Sequence, residues 1–107
     1  MNKKQLSGPK QRVIEQCQDI AFGRITFHVA GGEPDLGRPW RTRRTVKLNG
    51  GENGPRPEAA SNDFELRREH LALLDQMARL SDGACVTIEV KHGLPFIIEI
   101  DQEQRVA

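Results

Sequence analysis

Val86-Thr87-Ile88-Glu89-Val90-Lys91-His92-Gly93-Leu94-Pro95-Phe96-Ile97-Ile98-Glu99-Ile100 alternates apolar with polar residues on both sides of a glycine turn. Successive strand side chains point to opposite faces, so this pattern predicts an antiparallel hairpin with one apolar face. The faces match when Val86 opposes Ile100, Ile88 opposes Ile98 and Val90 opposes Phe96, which predicts a three-residue loop, His92-Gly93-Leu94.

Upstream of the hairpin, Leu66, His70, Leu73, Met77 and Leu80 recur at helical spacing, with Leu71 and Leu74 widening the stripe. A helix from about Asp63 to Leu80 is expected, with Asn62 and Glu65 at capping-box spacing and Gly83 closing it. Asp75 and Arg79 are spaced for an i,i+4 ion pair.

The same order recurs earlier in the chain. Val13, Ile14, Cys17 and Ile20 form one face of a helix that Pro9 can start and Gly23 can stop. Ile25, Phe27 and Val29 then alternate as the apolar face of a strand. Residues 13–23 align with 73–83 at an offset of 60, and 25–34 align with 86–95 after one inserted residue. Gly31, Gly32, Pro34, Gly37 and Pro39 predict a long turn region, and Trp40–Leu48 a second strand anchored by Val46 and Leu48.

A unit of about 35 residues buries too little surface to fold alone, whereas two can share a core. The expected fold is therefore α+β, a single domain over 1–107. Two helix–β-hairpin repeats, 9–48 and 62–105, would form a four-stranded antiparallel sheet with two helices on one face. A breaker-rich flexible connection spans 49–61.

Asp82-Gly83-Ala84-Cys85-Val86-Thr87-Ile88-Glu89-Val90-Lys91-His92-Gly93-Leu94-Pro95, followed by Ile98-Glu99 and Gln104-Arg105, resembles the YezD-like family of short bacterial proteins of unknown function. The resemblance covers 74–105 and is weaker in the first copy, where Glu33 to Pro39 lengthens the turn and the tail motif is missing. It implies a helix–hairpin fold and pairing as homodimers, with the duplication here supplying both halves in one chain. It implies no activity.

The formal net charge of +1 conceals a division. Residues 1–56 hold eleven Lys/Arg and five Asp/Glu, and residues 57–107 hold five and ten. The basic excess centres on Arg38, Arg41, Arg43, Arg44 and Lys47, with Trp40 beside them. On a strand, Arg41, Arg43 and Lys47 share a face, suited to phosphates while Trp40 stacks a base. Lys3, Lys4, Lys10 and Arg12 can add to that field. The competing readings are an edge strand guarded by charge or a loop pairing with the acidic half.

Glu89, Glu99, Asp101 and Glu103 gather near the last hairpin, but their alternation to solvent argues for no catalytic pair. His28, His70, His92, Cys17 and Cys85 lack metal-ligand spacing, and the glycine pairs fit no nucleotide fingerprint. Two cysteines make no disulfide framework and are expected as free thiols, Cys17 in the core. No apolar run reaches the roughly 20 residues of a membrane span. The N-terminus has no secretory apolar stretch, so the default location is the cytoplasm.

The functional expectation is a small non-enzymatic intracellular binding module without cofactor or metal. Its first reading is nucleic-acid binding through Arg38, Trp40, Arg41, Arg43, Arg44 and Lys47. The alternative is contact with a protein, either an acidic partner or a second copy in a homodimer. The third is an enzyme whose site leaves no sequence signature.

Overall fold

The computed structural model describes residues 5–48 and 67–102. Two helices, α1 (Gly8–Ile20) and α2 (Arg68–Ala78), accompany five strands: β1 (Gly23–Ala30), β2 (Glu33–Asp35), β3 (Arg41–Arg44), β4 (Cys85–Lys91) and β5 (Leu94–Asp101). The fold is α+β, with one antiparallel sheet. The connection expected over 49–61 and the helix start at Asn62–Asp63 lie outside the described residues.

The sheet runs β2-β1-β4-β5, and β3 also pairs with β1. Since β4 holds one side of β1, β2 and β3 divide the other: β2 pairs with His28–Ala30 and β3 with Gly23–Thr26. The first hairpin's single return strand is thus two short strands. Residues 36–40 interrupt them opposite Phe27. The region read as a long turn contains β2, and the strand expected over Trp40–Leu48 is only Arg41–Arg44. Val46 and Leu48 do not anchor it, being 52% and 97% exposed.

Ile25, Phe27 and Val29 of β1 meet Val86, Ile88 and Val90 of β4 on one buried face. Val13, Cys17 and Ile20 of α1 and Leu73 and Met77 of α2 cover the same face. Both helices therefore lie on one side and leave the other side of the sheet to solvent. His70 is also buried, and its Nδ1 accepts from the Arg67 N–H at 3.0 Å. Leu71 does not widen the buried stripe; it is 45% exposed.

α1 stops before Gly23. Ala21 adopts φ 66, ψ −52, and the Phe22 N–H donates to the Ile20 carbonyl at 2.8 Å, a γ-turn with positive φ. Gly23 serves packing instead: a Cβ there would lie 1.8 Å from the Arg43 carbonyl oxygen. Its missing side chain lets β3 close against β1.

Both hairpin turns contain two residues. Gly31 and Gly32 have φ 61 and 75, and His92 and Gly93 have φ 54 and 73, as primed turns require. In β4–β5, Val86↔Ile100 and Ile88↔Ile98 pair as the alternation predicts. Near the turn the register differs: Lys91 pairs with Leu94, Val90 with Pro95 and Glu89 with Ile97. Phe96 is the extra residue of a bulge, which reconciles a two-residue loop with matched apolar faces further on.

Candidate nucleic-acid interface

The solvent side of the sheet is set by strand register. Arg24 of β1 lies between Arg43 of β3 and Glu89 of β4, and Thr26 lies between Arg41 and Thr87. His28 lies between Asp35 and Cys85. On the far strand, Ile97 follows Glu89, Glu99 follows Thr87 and Asp101 follows Cys85. Basic residues thus occupy the β3 side of this face and acidic residues the β5 side.

Arg24, Thr26, Arg41, Thr42, Arg43 and Thr87 line a shallow depression of about 370 Å³. The three arginines offer only donors to phosphate oxygens, and the Thr26 and Thr87 hydroxyls, bonded to each other on the same face, leave one further donor between them. Arg24 and Arg43 are directly opposed, an arrangement that costs roughly 0.2–1 kcal/mol unless an anion lies between them. Arg24 also approaches Glu99 at 3.8 Å, an exposed pair worth little. Arg24 enters a second depression of about 450 Å³ as well, together with Lys47, Glu89, Lys91 and His92.

The six sequence candidates do not form one cluster. Arg41 and Arg43 share the open face as their alternation predicts. Arg44 points toward α1, where Nη2 donates to the Asp19 carbonyl at 3.0 Å and to Asp19 Oδ2 at 3.4 Å. Lys47 lies beyond the end of β3, its Nζ 5.5 Å from the Phe22 ring centroid. Arg38 is exposed in the turn before β3. Trp40 is half-buried against the core cluster, with the Arg12 guanidinium 6.0 Å from its ring centroid. It belongs to the helix side, so base stacking by Trp40 beside Arg41 and Arg43 does not fit.

Arg24, Thr26 and Thr87 belong to the surface although the sequence reading did not group them with it. Their signal was available: positions 24, 26 and 28 are the polar phase of the strand whose other phase is the core. Lys10 is near Glu33 at 3.8 Å, and Arg12 is engaged by Trp40, so neither joins the open face. Lys3 and Lys4 lie outside the described residues.

Among the described residues, no group of three His, Cys, Asp or Glu side chains could hold a metal ion. Cys17 is buried and Cys85 half-buried, both as free thiols. Burial pushes the Cys17 thiol up to about 12. No described helix is long and apolar enough to cross a membrane. No family model, curated protein or solved structure matches the chain.

Proposed function

We propose that the protein is a non-enzymatic binding module whose open sheet face takes the phosphate backbone of a nucleic acid. The observation that carries this reading is the direct opposition of Arg24 and Arg43, with Arg41 next along the strand and hydroxyls of Thr26 and Thr87 between the strands. Binding of this kind depends on charge rather than base identity, since among the described residues no aromatic side chain lines the depression that Arg24, Arg41 and Arg43 share. Retention on immobilised single-stranded nucleic acid across a salt series tests it. Arg41→Ala/Arg43→Ala should abolish most retention at low salt. Unchanged retention would overturn the reading.

The same proposal includes a duplicated ancestry for the fold, supported by register. At an offset of 61 residues, Ala30↔Glu33 becomes Lys91↔Leu94 and Val29↔Pro34 becomes Val90↔Pro95. The offset also exchanges Ile25↔Ile88 with Phe27↔Val86 and maps Thr26↔Thr87 onto itself. β2 and β3 together then correspond to β5, with residues 36–40 replacing Ile98. Arg41 stands where the other copy has Glu99, and Arg43 where it has Asp101. The YezD-like resemblance of 74–105 accompanies this reading.

A further inference from the structure

We infer that β5 is the contact edge of a symmetric homodimer, in which two copies join their sheets by antiparallel β5–β5 pairing centred on Ile98. β5 is the end strand, and among the described residues no strand lies beyond it. It has eight residues and an uncovered apolar surface: Phe96 is 59% exposed, Ile97 44% and Ile100 37%. A groove of about 290 Å³ runs beside it, floored by Leu73, Ile88 and Ile98 and flanked by Ala72 and Phe96. An open strand with an apolar flank is a template for another strand.

The strand's own sequence selects the partner and the register. Centring the pairing on Glu99 would oppose two carboxylates, and centring it on Ile100 would set Glu99 against Asp101. Centring it on Ile98 sets Ile98 against itself, Phe96 against Ile100 and Ile97 against Glu99, with no like charges directly opposed. Glu99 also has Arg24 beside it to offset its charge.

The opposite edge explains why assembly stops at two. It is divided between β2, which carries Pro34, and the arginine-rich β3, and it is interrupted at residues 36–40, so it offers no continuous template. One usable edge per chain gives a closed isologous pair rather than a fibre. Eight residues give an edge of about 26 Å, and strand plus flanking helix about 20 Å of depth. The footprint, on the order of 500 Å² per copy, falls at the small end of specific interfaces, which suits reversible pairing.

Sedimentation velocity from 5 µM to 1 mM tests the interface. The dimer fraction should rise with concentration, and Phe96→Lys/Ile97→Lys should remain monomeric with an unchanged circular dichroism spectrum. In a Cys85→Ser background, Ile98→Cys should form a disulfide-linked dimer under mild oxidation, because residues opposed on the dyad lie within disulfide reach. Arg43→Cys in the same background should not. A monomer at 1 mM, an undiminished dimer of the double-lysine variant, or equal cross-linking by Arg43→Cys would overturn the inference. These outcomes are independent of nucleic-acid retention by the arginine face.

Discussion

The Thr26 and Thr87 hydroxyls lie 3.2 Å apart across the two central strands, on the open face of the sheet. Either can donate, and the shared hydrogen bond ties β1 to β4. Thr26→Val or Thr87→Val should each cost about 1 kcal/mol, because one hydroxyl then loses its partner in a half-buried setting. The double variant should cost much less than the two losses added together. Urea unfolding of all four proteins gives the coupling energy, and an additive result would mean that the contact contributes nothing.

Gly23→Ala should be severe, because the position is buried where β3 closes on β1. The added methyl would meet the Arg43 carbonyl and the Ile20 side chain, so β3 must withdraw from β1. A loss of about 2 kcal/mol or more is expected, in the range of strained packing changes. Hydrogen exchange should show the local effect as lost protection at Thr45, whose N–H donates to the Phe22 carbonyl at 2.8 Å.

Cys17 gives stability a dependence on alkaline pH. Burial raises its folded value from 9.0 to about 12, so the folded thiol keeps a proton that the unfolded chain releases. Its contribution is fully present below about pH 9 and declines as pH rises toward 12, by at most about 1.4 kcal/mol per pH unit. Cys17→Ala should flatten this decline relative to the parent while lowering stability at neutral pH. Parallel denaturation curves at pH 8 and pH 10.5 check both effects. A thiol reagent should modify Cys85 in the native protein and Cys17 only on unfolding.

Salt dependence should separate Trp40 from the arginines. If Arg24, Arg41 and Arg43 each neutralise one phosphate of a single strand, the logarithmic salt slope is about −2, falling to about −0.7 in Arg41→Ala/Arg43→Ala. Trp40→Ala should leave the slope unchanged and instead reduce stability through lost packing against Arg12 and the core. Weaker retention at fixed salt with an unchanged slope and an intact fold would restore a stacking role.

The sequence conveyed the helix faces and the central strands clearly, because core residues such as Val13, Cys17, Ile25, Phe27, Val86 and Ile88 follow clean periods of 3.6 and 2. Edge structure was less legible. Glu33–Asp35 is too short to alternate, and the bulge at Phe96 shifts a register that pattern matching assumes continuous. Arg41 and Arg43 stand out in the sequence by charge density and by their alternation on a strand. Their neighbour Arg24 does not, since it comes from a different strand and only pairing register brings it alongside. Trp40 adjoins Arg41 in sequence and packs on the opposite, helix side of the sheet, a placement that charge density does not reveal.

With Arg41 and Arg43 on β3 and Glu99 and Asp101 on β5, the open face is an electric dipole lying in the plane of the sheet. Its poles are separated by three strand spacings, about 14 Å. Such a dipole exerts a torque at distances where no hydrogen bond can form. A polyanion nearing the face would be turned toward β3 and away from β5 before contact, leaving the β5 edge clear for the second copy.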